Sequence, residues 1–186
     1  MNEEIIIAGF GGQGVLSMGK ILAYAGMIRD LEVSWMPSYG PEMRGGTANV
    51  TVILSDRKIS SPVLRNYDTA IVLNQQSLDK FESMVKPGGV LLYDAQGIMR
   101  HPERKDIRIY KINATEEAGK MEAPKIFNMI LLGGYLKIRS ILSLEDFLQA
   151  LKKTLPARHQ KLIPLNAKAL ELGMKLVDFS FDKSGM

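Results

Sequence analysis

The sequence predicts an α/β domain of three layers, with a mostly parallel sheet between two layers of helices. Three observations carry that expectation. Short apolar runs rich in β-branched residues alternate with segments of helical periodicity. The first of these runs passes directly into a glycine-rich loop and then a helix, and beyond Thr115 the pattern turns helical.

Taken in order, Glu4 to Ala8 is the first expected strand, apolar enough to be buried on both faces, and Gly9-Phe10-Gly11-Gly12-Gln13-Gly14 follows it. From Val15 to Ile28, the residues Val15, Met18, Leu22 and Ala25 recur at helical spacing, while Gly19, Ala23 and Gly26 leave room for close packing on a sheet. Glu32 to Met36 is the second strand, closed by Pro37. Thr47 to Leu54 is rich in β-branched residues, and Ser55-Asp56-Arg57 is placed to turn it back into a short strand at Lys58-Ile59-Ser60. That turn would add an antiparallel hairpin to the otherwise parallel sheet.

Asp68 to Leu73 is a further buried strand. A helix is expected from Gln75 to Val85, with Leu78, Phe81 and Val85 on one face and Lys86-Pro87-Gly88-Gly89 as its stop. Strands at Val90 to Tyr93 and Ile107 to Ile112 follow. The C-terminal part holds three helical stretches, Lys125 to Ile138, Leu144 to Leu155 and Pro164 to Val177, and Ser143 ahead of Glu145-Asp146 is a good helix start.

Length and composition bound the function. A chain of 186 residues, 46% apolar and 24% charged, suits a single domain over 1–186 with one core. The longest apolar runs fall far short of the roughly 18 residues that a membrane span needs. Glu3 and Glu4 precede the first apolar run where a signal peptide would carry basic residues, so a cytoplasmic location is expected. The net charge of +4 is mild and scattered. Lys152-Lys153 and Arg158-His159-Gln160-Lys161 fit a solvated helix face, so no nucleic-acid partner is expected.

The chain has no cysteine, so it supplies neither disulfides nor the thiolates that hold iron–sulfur clusters. Its two histidines, His101 and His159, stand apart with no carboxylate at ligand spacing, and no metal site is expected. Nor does any residue stand out as a nucleophile or general base with a partner in place; no catalytic residue is expected.

Two segments carry chemical information. Gly9, Gly11 and Gly14 satisfy the G-x-G-x-x-G spacing between a strand and a helix, a Rossmann-like arrangement in which glycines let the backbone approach a phosphate at the helix N-terminus. A dinucleotide site also asks for an acid at the end of the second strand. Here that strand ends Ser34-Trp35-Met36-Pro37, with Glu32 at its beginning. The same glycines equally serve a tight turn for strand–helix packing.

The second segment, Ser38-Tyr39-Gly40-Pro41-Glu42-Met43-Arg44-Gly45-Gly46, should lie at the same carboxyl edge of the sheet. Arg44 could hold a carboxylate or phosphate in a bidentate contact, with Glu42 orienting it, or the two could simply staple the loop. Asn74 and Asp94 close strands at this edge as well. Each is read either as a ligand contact or as local structure, Asn74 capping the next helix and Asp94 steadying a turn.

Together, the run Gly9 to Val15 followed by Trp35 to Asn49 resembles the gamma subunit of 2-oxoacid:ferredoxin (or other acceptor) oxidoreductases. The resemblance extends from Ile5 to about Leu176 and takes in Tyr67-Asp68, Leu73-Asn74-Gln75 and the region of Asn128. The Ser38–Gly46 segment is most similar to 2-oxoglutarate members, with 2-oxoisovalerate members close behind. Met43 and Thr47 set it apart from pyruvate members (Gly-Pro-Glu-Arg-Arg-Gly) and indolepyruvate members (Met-Ala-Gln-Arg-Gly-Gly).

The resemblance implies a Rossmann-like α/β/α fold in a hetero-oligomer that decarboxylates a 2-oxoacid oxidatively with coenzyme A, giving an acyl-CoA and carbon dioxide and passing electrons to ferredoxin. It also implies that thiamine diphosphate, magnesium and iron–sulfur clusters belong to alpha, beta and delta partner subunits. This chain alone would hold no cofactor. Its crevice, formed by Gly9, Gly11, Gly12, Gln13 and Gly14 with Tyr39, Gly40, Glu42, Arg44, Gly45, Gly46, Asn74 and Asp94, would face coenzyme A or the subunit seam. Two other readings are a stand-alone nucleotide- or coenzyme A-binding module and a purely architectural subunit.

Overall fold

A computed structural model describes residues 1–38 and 47–180, with side chains described as far as Val177. Six strands, β1 (Asn2–Phe10), β2 (Glu32–Ser38), β3 (Thr47–Ser55), β4 (Tyr67–Val72), β5 (Val85–Asp94) and β6 (Arg108–Ile112), form one sheet in the order β2-β3-β1-β4-β5-β6. The helices are α1 (Val15–Ile28), α2 (Gln75–Phe81), α3 (Ala114–Lys120), α4 (Phe127–Arg139), α5 (Leu144–Thr154) and α6 (Ile163–Ser180).

β1, β4, β5 and β6 pair in parallel. β3 runs against both of its neighbours, β1 and β2, which therefore point the same way as each other. The antiparallel element expected from the sequence is thus present, but with other partners. Lys58 to Ser60 form no strand, because Thr47–Ser55 finds its antiparallel mates in β1 and β2 and needs no hairpin return.

Ile5, Ile6 and Ile7 are fully buried, as a central strand covered on both faces requires. The two coverings are unequal. One face carries α1, α3, α4, α5 and α6 over the larger core, which takes in Ile5, Ile7, Val52, Ile71 and Leu92. The other face packs Ile6, Val72, Leu91 and Tyr93 against Leu78 and Phe81 of the short α2. Pro37 lies in β2 instead of ending it; it is tolerated because β2 is an edge strand, where a missing N–H costs no ladder bond.

The helix from Gln75 stops at Phe81 and tightens into a 3-10 turn over Glu82–Met84. Val85 then opens β5, where the helical spacing of Phe81 and Val85 had suggested one continuous face. The Lys86–Gly89 segment is a bulge within β5, where pairing with β4 jumps from Tyr67↔Val85 to Thr69↔Val90. Gly88 holds a φ of 75° there, and the Lys86 ammonium bridges Glu4 (2.7 Å) and Asp68 (2.9 Å). α3 had no bounded counterpart in the sequence pattern.

The helical layer is seated by glycines. On α1, a Cβ at Gly19 would come within 2.6 Å of Val50 and one at Gly26 within 2.5 Å of Leu54. α4 and α6 approach still closer, since a Cβ at Gly133 would lie 2.0 Å from the Leu170 carbonyl oxygen and one at Gly173 1.9 Å from that of Ile130. At the amino edge of the sheet, buried Glu3 accepts from Arg139 Nε at 2.7 Å and from the Thr69 hydroxyl at 2.6 Å. Burial, and then the Glu3 charge, push the nearby Tyr135 hydroxyl well above its ordinary value.

Two stability predictions follow from these contacts. Gly133→Ala should cost at least about 1–3 kcal/mol, because backbone cannot yield to the added methyl as a side-chain tip can. Arg139→Leu should cost about 3–5 kcal/mol by leaving Glu3 buried without its cation. Denaturant titration of each variant against wild type reads both, and a loss under about 0.5 kcal/mol in either would show that the contact is not needed.

Candidate functional site at the carboxyl edge

The Gly9–Gly14 loop connects β1 to α1 at the carboxyl edge of the parallel strands. Gln13 closes it: its Oε1 accepts from the Phe10 N–H at 2.6 Å, its own N–H reaches the Phe10 carbonyl at 3.2 Å, and its Nε2 points to the Leu73 carbonyl at 3.5 Å. Gln13 thereby ties the loop to the end of β4. Gly9 is glycine for space, since a Cβ there would sit 2.6 Å from Gln13 Oε1 and 3.0 Å from Leu73 Cβ.

Gly12 and Gly14 are glycine for conformation, with φ of 93° and 79°. Gly14 caps α1 with no side-chain bond, and its missing Cβ makes room for Asn128 at the start of α4. Gly11 and Gly12 are exposed, and a Cβ on Gly12 would meet nothing within 4 Å. The loop thus divides into a packed half, Gly9, Gln13 and Gly14, and an open half, Gly11–Gly12.

Tyr39, Gly40, Glu42, Arg44, Gly45 and Gly46 lie outside the described residues. The residues on either side of that segment are described and sit at this same edge: Ser38 pairs with Asn49, which also faces Ala8, and Thr47 pairs with Phe10.

Asn74 and Asp94 meet at one pocket. It occupies about 500 Å3 between the ends of β1, β4 and β5, and its wall includes Phe10, Gln13, Asn74, Asp94 and Thr115. Asn74, 2% exposed, caps α2 by accepting from the Ser77 N–H at 2.8 Å, while its Nδ2 has no partner among the described residues. Asp94, also 2% exposed, accepts from the Thr115 N–H at 3.2 Å and from the Thr115 hydroxyl. It serves the α3 N-terminus, which has no side-chain cap of its own. Burial pushes its carboxyl up, against the lowering effect of bonds from Thr115, Gln96 and Ala114.

The expected Asn74 cap is therefore present, with a donor that has no partner among the described residues, while Asp94, expected to steady a turn, holds the start of α3. Thr115 was missed from the sequence. An acid closing a strand three residues before a glycine was the only hint that it would reach a helix start so far along the chain. Among the described residues no group of three or more His, Asp or Glu is gathered for a metal ion, and no helix is long and apolar enough to cross a membrane.

A six-stranded sheet with a glycine-loop crevice at its carboxyl edge defines a Rossmann-like α/β domain of the kind that binds ligands at strand ends. The family of pyruvate ferredoxin/flavodoxin oxidoreductases matches residues 4–176, and the chain belongs to that family. Its similar proteins include the ketoisovalerate oxidoreductase subunit VorA of Methanothermobacter thermautotrophicus, 39% identical over 171 residues, which cover 91% of this chain and 35% of the relative. The chain thus spans about a third of that relative's length. The 2-oxoglutarate synthase subunit KorC of Methanocaldococcus jannaschii is 36% identical over 84% of this chain and 85% of its own.

Among solved structures, the gamma subunit of a keto/oxoacid ferredoxin oxidoreductase from Geobacter sulfurreducens matches with a TM-score of 0.83 at 27% identity, over 97% of this chain and 98% of its own. The 2-oxoglutarate:ferredoxin oxidoreductase of Magnetococcus marinus, whose structure holds 2-oxoglutarate, coenzyme A and succinyl-CoA, shares the fold at a TM-score of 0.86 and 24% identity, over 96% of this chain and 31% of that one.

The raised Asp94 carboxyl gives a pH prediction. A folded-state value above the unfolded one adds stability at pH below the unfolded value, and that stability is lost as pH climbs through the folded one. The stability of wild type minus that of Asp94→Asn should therefore fall as pH rises from about 3 to about 7. The asparagine amide adds only a constant offset. Denaturant titrations across that range check it; a difference that stays flat or grows would rule out the shift.

Proposed function

We propose that this chain is the gamma-type subunit of a 2-oxoacid:ferredoxin oxidoreductase, with 1–186 as one gamma-type domain, and that 2-oxoglutarate is the 2-oxoacid. The observation that carries this reading is the family match over residues 4–176 together with the glycine loop's place at the carboxyl edge, beside Ser38 and Thr47. The KorC relative supports 2-oxoglutarate. A second reading, 2-oxoisovalerate, is favoured by the 39% identity to VorA.

In the proposed reaction the bond between the carboxylate and the oxo carbon breaks, carbon dioxide leaves, and a thioester forms with the sulfur of coenzyme A. Two electrons leave to ferredoxin, and the thiol proton of coenzyme A is released to solvent. Thiamine diphosphate, bound by alpha and beta partner chains, supplies the carbanion chemistry, and iron–sulfur clusters in beta or delta chains carry the electrons. A chain with no cysteine fits that division.

The part assigned to this chain is binding and enclosure. Exposed Gly11 and Gly12 leave backbone open to a ligand at the α1 N-terminus, and the crevice is suited to coenzyme A. Arg44, at the same edge by sequence, would hold an anionic group of coenzyme A or the seam over the partner's cofactor. The Thr115 hydroxyl and the Asp94 carboxylate are spent on each other, which suits a wall better than a nucleophile.

Co-expression with the partner subunits, followed by viologen reduction assays with 2-oxoglutarate and 2-oxoisovalerate, tests the reading. The assembled complex should turn over with coenzyme A present and prefer 2-oxoglutarate, and the isolated chain should not turn over. Arg44→Ala should lower kcat/KM for coenzyme A or the 2-oxoacid by roughly 10- to 100-fold, the loss expected for a charged hydrogen bond. Full activity in the isolated chain would overturn the subunit reading. Unchanged kcat and KM in the Arg44→Ala complex would make the chain architectural.

A further inference from the structure

On the helical face of the sheet a groove of about 470 Å3 opens where α1, α4, α5 and α6 converge, bordered by the 3-10 turn Ala157–Leu162. Ile21, Met129 and Leu151 in its wall are buried, Leu155 and Leu165 are half-buried, and Leu162 is 39% exposed. Small-molecule sites have this form, roughly 300–1,000 Å3 with a mostly apolar lining and few polar groups.

The wall is set within the chain. Gln160 Nε2 donates to the Lys152 carbonyl at 2.8 Å and to the Leu155 carbonyl at 3.4 Å, which ties the turn to α5. Asn166 Nδ2 donates to the Leu162 carbonyl at 2.8 Å, which ties it to α6. A site held in this way needs little ordering when a ligand enters.

Charge selects the occupant. Among the described residues that line the groove there is no Asp or Glu, whereas Lys125 and His159 are both present. His159 Nε2 accepts from Arg158 Nε at 3.1 Å, and the remaining polar lining, Ser17, Asn128 and Asn166, is neutral. Lys125 is therefore the lining cation left to meet an anion. The surrounding chain extends the bias, since the 24 residues from Phe147 to Leu170 hold five Lys or Arg and no Asp or Glu. Lys125, Lys152, Arg158 and Lys161 are exposed and form no ion pair among the described residues. A merely solvated face ordinarily mixes both signs. A simple anion would leave the apolar wall in water, and a neutral hydrocarbon would leave the cations without a counter-charge.

We infer that this groove binds a small anionic amphiphile, with its apolar chain against Ile21, Met129 and Leu151 and its anionic head beside Lys125. The inference goes beyond the carboxyl-edge crevice; the groove meets the glycine loop through Asn128, whose amide fills the space beside Gly14.

The test uses the full chain, and the complex assembled with its partner subunits, with three probes: octanoate, which has both parts, 1-octanol, which has the chain alone, and acetate, which has the head alone. Calorimetry measures affinity, and the methyl resonances of Met129 and Leu155 report the place. Octanoate should bind saturably and shift those methyls, 1-octanol should bind more weakly, and acetate should not bind. Lys125→Gln should weaken octanoate about two- to fivefold, as loss of an exposed ion pair predicts, and leave 1-octanol unchanged. Leu162→Gln should weaken both about fourfold, the equivalent of one buried methylene. Both positions are exposed, so both variants should keep Tm within a few degrees of wild type.

Equal affinity for octanoate and 1-octanol would overturn the proposal. So would binding of acetate, octanoate binding that leaves both methyls unmoved, or wild-type affinity for octanoate in both variants. Association with phosphatidylglycerol vesicles but not with octanoate would assign the basic face to a lipid surface, and octanoate binding that vanishes in the assembled complex would assign the groove to a partner chain; either result overturns it. None of these measurements reads turnover, so failure of the proposed enzyme activity and failure of this site are told apart.

Discussion

β3 pairs residue for residue with all nine positions of β1 and all seven of β2, and by lying between them it sets the end of β2 two strand spacings, about 10 Å, from the glycine loop. In a dinucleotide-binding sheet the second strand lies beside the first, and the acid at its end reaches the ribose. Here that neighbouring place is taken by a strand running the other way. Ser38 is where such an acid would stand, and no acid there could serve the glycine loop in that manner. The absent acid is thus a consequence of strand order. The same insertion brings Thr47 opposite Phe10, so the segment between β2 and β3 leaves and re-enters the sheet at the loop's own edge.

The two edges of the sheet are built for different purposes. At the amino edge charges are matched: buried Glu3 with Arg139, helped by the Thr69 hydroxyl, and half-buried Lys86 with Glu4 and Asp68. Such pairs fix geometry more than they add net stability, and here they fasten β1 to α4 and to the bulge of β5. At the carboxyl edge the order is supplied by single side chains that each hold one loop, Gln13 for β1–α1, Asn74 for α2 and Asp94 for α3. Backbone between those fixed points, at Gly11 and Gly12, is left exposed. Rigid strands with open connections at one end are the usual support for a binding site on loops.

How much of this was legible in the sequence follows from what each signal depends on. α1 and the core strands were, because their periodicities are local and their burial is on both sides or on one clean face. Gly19 and Gly26 were also rightly read as contact points with the sheet. Strand order was not, since Thr47–Ser55 has the same pattern whether it pairs with a hairpin return or with β1. Val85 misled because four-residue spacing from Phe81 imitates a helix while the bulge at Lys86–Gly89 hides the strand. At the site, the Asn74 cap was foreseen as an alternative to ligand contact, whereas Asp94 was expected to steady a turn and instead holds the α3 start. Thr115 could not be foreseen, because its bond to Asp94 spans 21 residues and depends on where β6 returns the chain.

The division of labour proposed for the chain also accounts for what its side chains lack. The chain has no cysteine and, among the described residues, no metal-ligand cluster; the role proposed for it rests on shape, hydrogen bonding and the Arg44 charge. Such contributions require that the wall be held rigidly against the partner, because an oriented donor loses its value when displaced by an ångström. In VorA the matching region is about a third of a longer chain, whereas in KorC it is most of the protein. A covalent link keeps neighbours at an effective concentration of roughly millimolar; a separate chain has to replace that advantage with contact area. The same crevice can serve in both settings only if its geometry is set within the domain. The bonds from Gln13, Asn74 and Asp94 do that at the carboxyl edge, and the ion pairs of Glu3 and Lys86 do it at the amino edge.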